Sequence, residues 1–108
     1  MLRARCRVWV EKAGRPVLGD GRAELLARID ASGSIRAAAE QMGMSYRHAW
    51  SHLAKIEDGL GVQVVARRAG GRGGGGSTLT GEGRRVLARY RRFRAELDKC
   101  LARLERLL

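Results

Sequence analysis

Two periodicities divide the chain. Over residues 3–10 apolar and polar positions alternate, Ala4, Cys6, Val8 and Val10 against Arg3, Arg5, Arg7 and Trp9. A period of two predicts a strand with one face inward and one face basic. Lys12, Ala13 and Gly14 predict a turn, and residues 15–18 the returning strand, with Pro16 marking an edge position. From Asp20 the period lengthens. Leu25, Leu26 and Ile29 fall on one face of a helix of roughly ten residues, capped by Asp20 and stopped by Ser32 and Gly33. In SIRAAAEQMGMSYRHAWSHLAKI, residues 34–56, two shorter apolar stripes follow. Ile35, Ala38, Ala39 and Met42 make the first, and Ala49, Trp50, Leu53 and Ile56 the second, with Trp50 expected at the buried centre. Ser34 and Ser45 are placed to cap the two helices through their side-chain oxygens, and Gly43 supplies a left-handed turn between them.

This is the pattern of a helix-turn-helix. Ala39 is small where the second helix must cross closely, and Arg47, His48, Ser51, His52 and Lys55 face away from the apolar stripe. A helix with a row of outward donors suits a groove of nucleic acid. Directly after it, VQVVARR is β-branched and short, AGGRGGGGS is a flexible basic loop, and Thr78 and Leu79 are again extended. Strand, loop and strand in that place predict a wing carrying Arg67, Arg68 and Arg72, whose glycines let backbone N–H groups approach a sugar-phosphate chain. The last segment is a long helix capped by Thr80, with Glu82 near its positive end. Val86, Tyr90, Phe93, Leu97, Cys100, Leu104 and Leu107 recur on it at alternating spacings of four and three, a heptad seam. Such a seam needs a partner, either a second copy or the chain's own domain. The expected architecture is therefore mainly α (α+β). A winged helix-turn-helix with a small N-terminal β-hairpin spans 1–83, and a C-terminal dimerisation helix belonging to the same domain spans 84–108.

Composition sharpens the picture. The 108 residues fit one domain with one modest core, and 22 Lys and Arg against 11 Asp and Glu give a net charge of +11. That imbalance implies a polyanionic partner. Most of the cations are Arg, whose fork suits phosphates and guanine edges. With only 2 Trp, 2 Tyr and 1 Phe, stacking along single strands is a poor fit. No run approaches the length of a membrane span, and the charged start MLRARCRVWVEK has no apolar signal core, so a cytoplasmic protein without a membrane partner is expected. Cys6 and Cys100 are too few for a disulfide framework or a zinc site and are expected to be reduced.

The phrase SGSIRAAAEQMGMSYRHAW, taken with RRAGGRGGGGSTLTGEGRRVLARY, closely resembles the N-terminal DNA-binding domain of the ModE-type molybdate-responsive regulators, of the LysR-like winged helix-turn-helix group. The resemblance runs from the opening hairpin to about Tyr90. It implies a homodimer on operator DNA, dimer contacts from the long terminal helix, recognition-helix roles for Ser45, Tyr46, Arg47 and His48, and wing roles for Arg67, Arg68 and Arg72. ModE-type chains continue into a molybdate-binding region that these residues do not contain. No cofactor is expected, and a molybdate or tungstate oxyanion enters through the resemblance alone. The start at Met1 and the finished heptad at Leu108 favour a one-domain relative over a piece of a longer chain.

The function expected is sequence-specific binding of double-stranded DNA by a transcriptional regulator. The full expected DNA-binding set is Ser34, Arg36, Ser45, Tyr46, Arg47, His48, Ser51, His52, Lys55, Arg67, Arg68 and Arg72, and the expected dimer interface is the heptad seam. The main alternative is a nucleoid-type architectural protein that binds DNA by charge alone; the two classes differ in specificity ratio. Chemistry is weakly supported. GRGGGGST has Ser77 where a phosphate-binding loop needs lysine, and His48 and His52 lack a third metal ligand or an adjacent glutamate, so no enzyme and no metal site are expected.

Overall fold

A computed structural model describes residues 1–67 and 76–108. Among them the elements run β1 (Trp9–Lys12), β2 (Arg15–Gly19), α1 (Asp20–Ser32), α2 (Ile35–Gln41), α3 (Tyr46–Leu60), β3 (Val65–Arg67), β4 (Ser77–Leu79) and α4 (Gly81–Leu104), closed by a 3₁₀ turn (Glu105–Leu107). β1 pairs with β2 and β3 with β4, both antiparallel, as two separate two-stranded ribbons. The second ribbon is the wing, and the whole is a winged helix-turn-helix extended by a long C-terminal helix.

The core lies where α1, α2 and α3 converge. Leu25, Leu26, Ile29, Ala38, Ala49, Leu53 and Ile56 are fully enclosed, and Val17, Val64 and Leu79 close the sides from the two ribbons. Ser34 caps α2 by accepting from the Ala37 N–H at 3.0 Å, and Ser45 caps α3 by accepting from the His48 N–H at 3.0 Å. Between them Gly43 takes φ +67°, and the Met44 N–H returns to the Ala39 carbonyl. Ala38 and Ala39 are both buried on α2, which packs against α3. α4 is seated by Thr80, whose hydroxyl donates to the Gln63 carbonyl and accepts from the Gly83 N–H. The first turn then presses on the chain before β3: a Cβ on Gly83 would stand 2.2 Å from the Val64 carbonyl oxygen.

Several expectations are corrected. The first strand begins at Trp9 and not at Arg3. Residues 1–8 keep their alternating exposure, with Ala4, Cys6 and Val8 half-buried, but lie outside either ribbon. They are tied to the far half of α4 and the 3₁₀ turn after it: Arg94 of α4 donates to the Cys6 carbonyl, and the Ala4 N–H donates to Glu105 of the turn. Val10, expected inward, is 42% exposed. All four residues of β1 are exposed, and the register of the ribbon shifts between Val10 and Glu11. Asp20 is not the cap of α1. Gly19 holds that position without a side-chain bond, and Asp20 sits inside the first turn, where it accepts from the Tyr90 hydroxyl. Trp50 is half-buried, not central, because Ala49, Leu53 and Ile56 take the inward line of α3 and leave Trp50 on its rim.

On α4 the apolar line divides. Leu87, unforeseen, and Tyr90 are buried against the chain's own core, each 5% exposed, and Val86 is half-buried beside them. Leu97 and Cys100 are half-buried and Phe93 and Leu104 exposed, while Leu107, expected to continue the seam, lies exposed beyond the helix in the 3₁₀ turn. No helix among the described residues is long and apolar enough to cross a membrane.

Candidate nucleic-acid interface

The exposed edge of α3 is a ladder of polar side chains. Arg47, Ser51 and Lys55 recur four apart and are exposed, as is His48. Tyr46 and His52 are half-buried and are held in place by neighbouring arginines.

Tyr46 stands in the first turn of α3 between two cations. The Arg36 guanidinium of α2 lies over its ring at 4.4 Å, and Arg67 of β3 donates to its hydroxyl at 3.1 Å. Arg67 also lies 5.3 Å over the Trp50 ring, and Trp50 meets Tyr46 edge-on, at 6.3 Å and 79°. One cluster thus joins α2, α3 and the first wing strand, with Arg36 and Arg67 at its rim. Both lie in exposed positions and neither is in an ion pair among the described residues. A cationic surface of this kind is complementary to a polyanion.

The other side of α3 is ordered by Arg22 of α1. Its Nε donates to His52 Nδ1 at 3.0 Å, while its Nη1 donates to the carbonyls of Pro16 at 2.8 Å and Val17 at 3.0 Å. Arginine can only donate, so the acceptor nitrogen of His52 must be unprotonated and its neutral ring carries the proton on Nε2. Partial burial, then the nearby charges of Arg22, His48 and Lys55, hold the His52 pKa below its ordinary value. His48 stacks on His52 at 4.6 Å with planes 23° apart. The spacing of four residues that could have held a metal is therefore used for a ring stack with one nitrogen already bonded.

Of the expected set, the fold gathers Arg36, Ser45, Tyr46, Arg47, His48, Ser51, His52, Lys55 and Arg67 around one end and one edge of α3. Ser34 and Ser45 use their hydroxyls as caps. Arg68 and Arg72 lie outside the described residues. Arg22, which orders His52 on this face, is the residue that sequence reasoning missed. Its partner His52 is 30 positions away, and no local pattern links them.

Residues 22–84 match the family described as bacterial regulatory helix-turn-helix protein, lysR family. The chain is also similar to the molybdenum-pterin-binding protein MopB of Rhodobacter capsulatus, with 38% identity over 91 residues, covering 84% of this chain and 34% of that one. It is 41% identical over 87 residues to the molybdenum transport protein ModE of Azotobacter vinelandii, covering 81% and 32%. To the DNA-binding transcriptional dual regulator ModE of Escherichia coli (strain K12) it is 39% identical over 69 residues, covering 64% and 26%. The chain thus spans about a third or less of the length of these curated relatives.

Proposed function

This chain belongs to the lysR family of bacterial regulatory helix-turn-helix proteins, a family of DNA-binding transcriptional regulators, and we propose that it recognises operator DNA as a homodimer. The observation that carries the reading is the cationic face built on α3. Arg47, His48, Ser51 and Lys55 stand exposed on one helix, with Arg36 and Arg67 fixed on Tyr46 and Trp50 at its N-terminal end. Set in a major groove, α3 brings Arg47 and His48 to base edges from its first turn. Arg67 takes the flanking phosphates, together with Arg68 and Arg72 from the sequence between the wing strands. The exposed Phe93, Leu104 and Leu107, continued by the half-buried Leu97 and Cys100, support a second copy on the outer half of α4. Only the DNA-binding share of the molybdenum-related relatives is extended to this chain.

Selection of bound sequences from a random DNA pool tests the proposal. Enrichment of a palindrome is expected, since two copies related by a twofold axis read two inverted half-sites. Retention of the pool without enrichment would leave a protein that holds DNA by charge alone.

A further inference from the structure

The N-terminal ribbon carries cations that the α3 face does not account for. Lys12 and Arg15 are direct cross-strand partners at its tip, both exposed. Like charges directly opposite on a two-stranded ribbon repel. The turn between them also carries strain, because Ala13 takes φ +52° before Gly14 at φ +77°. Two successive residues in the left-handed region make the tight primed turn that fixes strand register, a conformation alanine adopts only under strain. The chain thus holds two repelling cations side by side on a rigid tip.

That tip is clamped to α3. Val17 of β2 packs so closely on Gly59 that a Cβ at Gly59 would lie 2.5 Å from its Cγ2. Arg22 binds the Pro16 and Val17 carbonyls with the same guanidinium that holds His52. Between ribbon and helix lies an open cleft of about 700 Å³ lined by Lys12, Arg15, Arg22, Lys55 and a single acid, Asp58. Lys12, Arg15 and Lys55 make no ion pair among the described residues. Lys55 belongs both to this cleft and to the exposed edge of α3 that runs through Arg47 and Ser51. One cationic path therefore leads from the first turn of α3, along its edge, into the cleft.

We infer that the cleft between the N-terminal ribbon and α3 is a second backbone site, in which Lys12, Arg15 and Lys55 hold phosphates of double-stranded DNA on the side of the recognition helix away from the wing. The inference rests on the DNA-binding reading above and adds to it a contact outside α3 and the wing. Phosphate oxygens are the ligand class that three unpaired cations on a preformed surface would take, and they carry no sequence preference.

The test is the salt dependence of binding to a labelled duplex of about 30 base pairs and random sequence. The full chain is compared with Lys12→Ala/Arg15→Ala, and with Lys99→Ala/Arg103→Ala at the far end of α4 as a control of equal charge change. Each lost phosphate contact should flatten the slope of log K against log salt by about 0.9, so roughly 2 per protomer, with about a tenfold weaker complex at low salt. The ribbon variant should show this and the control should not. Both ribbon side chains are exposed, so the melting temperature should not fall, which separates a lost contact from unfolding. A ribbon variant with the wild-type slope, while the wild type binds, overturns the inference and leaves the DNA reading standing. A wild type that does not bind the duplex overturns both. Amide resonances of Lys12, Arg15 and Lys55 should move with the duplex. If they move with inorganic phosphate alone and not with the duplex, the site serves a small oxyanion and the inference is wrong.

Discussion

At the scale of single residues, burial decides which substitutions act on the fold and which on the surface. Leu53 is fully enclosed, and Leu53→Ala should cost about 2–5 kcal/mol in a urea titration. Trp50 is half-buried under the Arg67 guanidinium, so Trp50→Ala should cost less, about 2 kcal/mol, while also removing the platform that positions Arg67. Equal losses for the two would place Trp50 in the core after all. His52 provides a pH test. Its pKa is lowered in the folded chain from an ordinary 6.5, so the unfolded chain binds the proton first as pH falls. The neutral ring accepting from Arg22 stabilises the fold fully above about 6.5, and this stability is lost as pH drops below that value toward the folded pKa. Urea midpoints between pH 7.5 and 5.5 should decline in the wild type and decline less in His52→Gln. Identical pH profiles would show that the Arg22–His52 bond does not matter to the fold. None of this pairing was legible in the sequence, where both histidines read as outward donors.

Elements were legible wherever the determining signal was local. The caps Ser34, Ser45 and Thr80, the turn at Gly43 and the inward line of α1 follow from spacing over a few residues, and the structure keeps them; of the line expected on α3 it keeps Ala49, Leu53 and Ile56 but not Trp50. What failed depended on distant partners. The period of two at residues 3–8 is real, but its partners are Arg94 of α4, which donates to the Cys6 carbonyl, and Glu105 of the closing 3₁₀ turn, which accepts from the Ala4 N–H 101 positions earlier. Asp20 looked like a cap because its acceptor oxygens fit that role, yet the oxygen is bonded to Tyr90, 70 positions on. Gly83 passed unremarked in sequence although nothing larger fits beneath it. Gly83→Ala would set a Cβ 2.2 Å from the Val64 carbonyl, so α4 must lift from the chain before β3. A loss of about 1–3 kcal/mol in thermal or urea unfolding is expected, and an unchanged midpoint would contradict this seating.

For the whole molecule, a net charge of +11 on 108 residues makes binding to DNA easy to obtain and specificity the property to be shown. The heptad was legible, but its division was not, because Tyr90 is claimed by α1 of the same chain and only the outer half is left for a partner. If that half joins two copies, Leu97→Glu/Leu104→Glu should give monomers in sedimentation, since unpaired carboxylates would be buried at the seam. A double variant that stays dimeric would place the interface elsewhere. The central claim is that α3 reads sequence, and affinity of Arg47→Ala for a selected site and for random duplex tests it most directly. Arg47 should cost about 1–3 kcal/mol on the selected site and little on random DNA, because its first-turn position reaches base edges. Equal losses on the two duplexes would show that Arg47 meets only phosphate, and would contradict recognition through this helix.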